Sequence, residues 1–399
     1  VSFRLPVKPR RLSRLPENAR PAGVLLWLAC LMILLGGCAG SPALQQATYR
    51  LPQHVELENV PFYPQEKYQC GPAALATALN YSPADLPADT HRPGSFAAGV
   101  LEADTVKAGA FKADNLKTGN LEVDRPSADS SRADSPGADS PGADSPGADT
   151  ATPAGSVRDT DITAQSLVSE VFLPGREGSV QPEMLATARR HQRIAYPIRP
   201  TFDALLGHVA AGDPVIVMQN LSLPAWPMWH YAVVIGYDLP DETLIMRSGE
   251  IRRHTLSFGR FDATWQRSQR WGLVLAEPGR IPDGVTARRA VDAISSYESL
   301  HGSGAALSSW RALTRAQPRN AMAYFGLGNA SFHQEQPQNA IQAFRRAVGI
   351  DEELGVAWLN LGLVYRQQDK TARARRALEK AAALPGDWQA KARSALDSL

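Results

Sequence analysis

The chain has 399 residues, 44% hydrophobic and 21% charged, with a formal net charge of +2. That length allows two globular domains, and the composition excludes a collagenous or wholly disordered chain. Residues 1–37 carry +5, which leaves −3 for the rest of a chain totalling +2, so the remainder lacks the basic footprint of a nucleic-acid binder.

The first predicted element is a basic segment followed by an apolar run, Val24–Leu35, too short for a comfortable membrane span. Leu35-Gly36-Gly37-Cys38 then sets small residues before a cysteine. The pattern resembles a bacterial lipoprotein signal peptide. That resemblance implies cleavage after residue 37, lipid on Cys38, and, with Ala39 following, an outer-membrane protein facing the periplasm. Cys30 leaves with the leader and Cys38 carries lipid, so Cys70 becomes the one free thiol of the mature chain. An unpaired thiol in an oxidising compartment is a candidate reactive group.

Residues 38–57 read as a tether. From residue 58 the pattern tightens into Gln65-Glu-Lys-Tyr-Gln-Cys70-Gly-Pro-Ala-Ala-Leu-Ala-Thr-Ala-Leu. Proline tolerates the first turn of a helix, and the uninterrupted small apolar residues to Asn80 predict a buried helix. About residues 82–160 hold a five-residue unit, repeated as Ala-Asp-Ser-Pro-Gly, whose large apolar residues vanish after Leu121. Such a segment cannot offset its ordering entropy and is expected to loop out of the domain as low-complexity chain. Order resumes near Ile162. Helices are predicted at Gln181–His191, Phe202–Ala211 and Phe258–Trp265. Strands are predicted at Pro214–Gln219, Tyr231–Tyr237, Thr243–Met246 and Trp271–Ala276. Helices first and strands after indicate an α+β domain over 58–277 with a mostly antiparallel sheet.

The last third, 285–399, is a repeat array. Tyr324, Leu327, Gly328, Ala340, Phe344 and Ala347 recur 34 residues later as Trp358, Leu361, Gly362, Ala374, Leu378 and Ala381. The period and residue types resemble the tetratricopeptide repeat, clear over 321–388, with a degenerate copy at 287–320 marked by Tyr297, Ala306, Trp310 and Pro318. Such arrays present surfaces for a protein partner.

Cys70 at a helix start is placed for chemistry. The positive end of the helix favours a thiolate, and the Cys70 N–H faces the place where an oxyanion develops. Gln65, or failing that Gln69, offers a second donor. Of eight histidines, His230 is the best base: it opens the run Tyr-Ala-Val-Val-Ile-Gly-Tyr and follows the aromatic segment Pro224–Trp229. His54 lies near the tether, His91 in the insertion, and His301 and His333 in the repeats. His191 and His208 read as helix-surface residues, and His254 as a strand-end residue.

Gln65, Cys70-Gly71-Pro72-Ala73 and the distant His230-Tyr231-Ala232-Val233-Val234-Ile235-Gly236-Tyr237 resemble the papain-like cysteine peptidases. The nearer likeness is to the bacteriocin-processing double-glycine leader peptidases, over residues 58–277 less the insertion. The resemblance implies that Cys70 attacks a peptide carbonyl, His230 shuttles the proton and Gln65 helps bind the oxyanion, with no metal or cofactor. The sequence departs from the family where an aspartate normally orients the histidine: that region reads Leu244-Ile-Met-Arg-Ser248-Gly249, and Ser248 supplies only a hydroxyl. No transporter domain accompanies the motif. Two functions follow as alternatives: an anchored peptidase acting on a peptide or protein substrate, and an inactive peptidase-like scaffold that binds without cutting.

Overall fold

Ten consecutive residues, Cys70–Leu79, form helix α1, and from Gly71 to Leu79 every one is buried. Small side chains all round let this helix sit inside the domain instead of on its face. The computed structural model describes residues 51–65, 69–82, 162–176 and 178–399, and Leu51–Leu399 form one compact unit. The expected leader, Cys38 and the pentad insertion lie outside the described residues.

The strands in chain order are β1 (His54–Glu56), β2 (Phe172–Leu173), β3 (Gly178–Ser179), β4 (Ile194–Pro197), β5 (Val215–Asn220), β6 (Trp229–Asp238), β7 (Thr243–Ser248), β8 (Ile251–Ser257) and β9 (Gly272–Ala276). Between them lie α2 (Ala164–Val171), α3 (Gln181–Arg190), α4 (Phe202–Ala210) and α5 (Phe258–Trp265). The main sheet has seven strands in the order β4-β9-β5-β6-β7-β8, with β1 also paired to β6. All its pairings are antiparallel, as expected from the sequence.

β6 is the axis of the sheet. Its first half, Trp229–Val234, pairs with β5, and its second half pairs with β1, so one long strand is held by two shorter ones. On its other edge β7 joins only from Val233 onward. His230 and Tyr231 therefore stand beyond the β6–β7 ladder, where side chains and loops can reach the strand edge.

Three expectations need correction. The stretch read as a tether to residue 57 already belongs to the sheet, because His54–Glu56 pair with Asp238–Gly236. His208 is 2% exposed and sits 3.9 Å from buried Asp213, not on a helix surface; the wet side of α4 is narrow and carries Asp203, while His208 is turned inward with the apolar residues. His254 lies within β8, a strand that its Arg252-Arg253-His254 centre concealed. The solvent-facing edge of the sheet tolerates those charges, which also blunt it against unwanted pairing.

Past β9 come α6 (Ala287–Ala316), α7 (Ala321–His333), α8 (Pro337–Ile350), α9 (Gly355–Gln367), α10 (Thr371–Ala383) and α11 (Trp388–Asp397). α6 breaks at Gly302, whose φ of 80° and ψ of 168° no helix contains, so it is a helix pair joined at a glycine. The periodic glycines have a packing cause. A Cβ on Gly328 would come within 2.5 Å of the Phe344 ring, and one on Gly362 within 2.6 Å of Leu378. Sheet and helices share a core: Ile194, Tyr196 and Ala276 pack in one cluster with Val291, Ile294, Trp310 and Phe325. Polar pins cross the same boundary, including His301 Nε2 to the Arg189 carbonyl at 2.6 Å and Arg280 to buried Asp213.

Candidate active site

α1 carries Cys70 as its first residue, and the helix packs against β6. The residue after the cysteine has to be small: a Cβ on Gly71 would fall 2.2 Å from Ser179 Oγ. The Cys70 sulfur meets the backbone N–H groups of Tyr231, Gly71 and Cys70 itself. Gln65 comes to the same place from the other side, its Nε2 donating to the Tyr231 carbonyl at 3.4 Å. The two ends of one residue on β6 thus bond the thiol and the amide predicted from sequence. His230 is the next residue back along that strand.

His230 is held by Nε2, which lies 2.9 Å from Ser248 Oγ. Ser248 ends β7 and pairs with Ile251 across a two-residue turn whose Gly249 has φ 60°. A glycine tolerates that left-handed conformation without strain. The same turn accepts a hydrogen bond from the Gln65 backbone, Gln65 N to the Gly249 carbonyl at 3.2 Å. One hairpin therefore sets both the imidazole and the amide. Beneath it Arg247, 9% exposed, donates to the carbonyls of Val60 and Arg252 and ties the approach to Gln65 down onto the hairpin. Sequence reading passed over this arginine, since a lone basic residue in an apolar strand carries no motif. Gln69 immediately precedes α1 and makes no side-chain cap bond.

The electrostatics differ from expectation. Burial pushes the Cys70 thiol up from its ordinary value despite the three N–H groups that pull it down. Burial, with His254 second, holds the His230 imidazole down at about 4. The helix start does not leave a free thiolate, because desolvation outweighs it, and burial favours the neutral form of the His230 imidazole as well.

This has a measurable consequence. Between about pH 6.5 and pH 4 the unfolded chain binds a proton at residue 230 that the folded chain refuses, so the contribution of His230 to stability is full above that window and lost through it as pH falls. The loss is on the order of 3 kcal/mol. His230→Gln should therefore show a shallower decline in melting temperature than the wild type from about pH 7 to pH 4.5. Parallel declines would mean that this imidazole is not held neutral by its surroundings.

Among the described residues, no group of three His, Cys, Asp or Glu side chains could hold a metal ion. No helix among them is long and apolar enough to cross a membrane.

Models of the tetratricopeptide repeat match residues 291–353 and 356–387. The C-terminal helices are therefore tetratricopeptide repeats, a protein-interaction architecture, and the match takes in most of the degenerate first copy. Two solved structures, "Crystal structure of MamA" and "Crystal structure of MamA protein", are each 24% identical over 28% of this chain, with TM-scores of 0.26 and 0.25. The alignments span 64% and 67% of those chains. No curated protein matches the chain.

Proposed function

We propose that the chain is a cysteine peptidase of the bacterial envelope, lipid-anchored at Cys38 and facing the periplasm, whose repeats bring a client protein to the site. One observation carries this reading: the Cys70 thiol and the Gln65 amide converge on Tyr231, one residue from a histidine whose Nε2 is held by Ser248. With Nε2 taken by the serine, Nδ1 is the nitrogen left for the thiol proton. In the proposed reaction the proton passes to Nδ1 as the sulfur attacks the peptide carbonyl. The imidazolium then protonates the leaving amine, and water hydrolyses the thioester. Gln65 keeps a second N–H beyond the one given to Tyr231, and that group is the donor for the oxyanion.

The test is mass spectrometry of Cys70 after exposure to a peptidyl acyloxymethyl ketone, with wild type and His230→Ala compared. The wild type should acquire one adduct at Cys70, and the variant should react about a hundredfold more slowly. Equal rates would remove the histidine from the mechanism and the peptidase reading with it.

A second reading has its own support: Ser248 gives the imidazole no carboxylate, and burial disfavours the charged pair. On that reading the domain holds an extended peptide without cutting it, and Cys70 alkylates slowly near neutral pH even in the wild type.

A further inference from the structure

Arg247 is the single charged residue of β7, and it follows Leu244, Ile245 and Met246, each no more than 2% exposed. Its guanidinium meets only neutral acceptors: Nη2 donates to the Val60 carbonyl at 3.0 Å and Nη1 to the Arg252 carbonyl. Its buried Nε has no hydrogen-bond partner among the described residues. Burial, then the charge of Arg252, disfavours the cation; Glu56 favours it, but Glu56 is already paired with Arg253. A buried cation on neutral acceptors costs stability that an apolar side chain in the same strand would not. Residues that break a local rule in this way are expected at functional sites.

What the guanidinium holds is the strap of residues 57–65 that ends on Gln65. The strap is fastened at four points. Leu57 N donates to the Ile235 carbonyl at 2.8 Å, and Asn80 Nδ2, just past α1, donates to the Tyr63 hydroxyl at 2.6 Å. The other two fastenings, Val60 to Arg247 and Gln65 N to Gly249, both go to the β7–β8 hairpin. Resting on the peptidase reading, we propose that Arg247 is a positioning residue for the oxyanion donor. It fixes the strap to the hairpin, so that the Gln65 amide stays aimed beside Tyr231, where the attacked carbonyl gains charge. A loosened amide would scarcely weaken substrate binding, because its bond to the carbonyl oxygen strengthens only as that charge develops. The neighbouring Ser248 offers a second route, through His230, and the two routes part experimentally.

The experiment follows hydrolysis of a quenched peptide by the full chain as wild type, Arg247→Met, Gln65→Ala and the double variant. Arg247→Met should lower kcat about thirtyfold with KM within about twofold, short of the roughly hundredfold or greater loss for removing an oxyanion donor outright. In the Gln65→Ala background the same substitution should cost no more than about twofold, since the amide it positions is gone. Alkylation of Cys70 by iodoacetamide, which develops no oxyanion, should keep its wild-type rate and pH profile in Arg247→Met. Losses that multiply in the double variant overturn the proposal, because they give the two residues independent roles. Slowed or pH-shifted alkylation overturns it as well, by routing the effect through Ser248 and His230. If circular dichroism shows Arg247→Met unfolded, Arg247→Gln, which keeps a donor for one of the two carbonyls, carries the same cycle. A wild type that hydrolyses no member of a peptide library ends the peptidase reading itself, and the positioning role with it.

Discussion

On the peptidase reading, Cys70→Ala should lower peptide hydrolysis by roughly four to six orders of magnitude while leaving the fold intact. The side chain stands at the first position of α1, partly exposed, and alanine is the best helix former available to replace it. What disappears is the only sulfur that meets both a β6 backbone N–H and the start of a helix among the described residues. Hydrolysis of a quenched peptide, followed alongside far-ultraviolet circular dichroism, separates the two effects. An unfolded variant is uninformative about mechanism, so Cys70→Ser serves as the second probe: it keeps the shape and hydrogen bonding but supplies a far weaker nucleophile. A Cys70→Ala protein that still cleaves what the wild type cleaves would end the assignment.

Trp310→Ala should be the most damaging single change in the repeat array. The indole is 1% exposed and its Nε1 donates to Glu298 Oε2 at 2.8 Å. It fills space left for it by Gly326, where a Cβ would lie 2.7 Å from the ring. Truncation opens a cavity and removes the donor from a carboxyl that burial already pushes above its ordinary value. A loss of about 4 kcal/mol is expected, or a fall of about 10 °C in melting temperature for a unit of this size. Because the ring belongs to the cluster that also contains Ile194, Tyr196 and Ala276, the sheet should melt with the helices in one transition. Two separated transitions in the variant, with the sheet unaffected, would show that the shared cluster does not couple them. Trp310→Phe, which keeps most of the volume, should cost roughly 1–2 kcal/mol.

The sequence made the elements with strong local signals legible. The small apolar run after Cys70 announces a helix because nothing in it has to reach water. The 34-residue recurrence of Gly328 and Gly362 announces the repeats because each glycine faces a large side chain of its partner helix. What stayed hidden depends on tertiary partners. β8 shows no alternation, because Arg252 and Arg253 are both exposed on an edge strand. His208 looks like a helix-surface residue until the fold buries its side of α4 beside Asp213. At the candidate site, Cys70, His230, Gln65 and Ser248 are proposed from spacing and likeness, and the fold bonds His230 to Ser248 and brings Cys70 and Gln65 to Tyr231. The hold of Arg247 on Val60 could not, since its partner lies 187 positions away. The sense of the thiol's shift was also invisible, because the helix start is read locally and burial is not.

The common core of sheet and helices has a geometric corollary. A hinged adaptor lets its cargo sample many positions, whereas this chain has packed side chains where a hinge would be. A client gripped by the helical array is therefore presented at one set span from residue 70. On the peptidase reading, the molecule measures off the point of cleavage like a ruler, counted from the docking epitope.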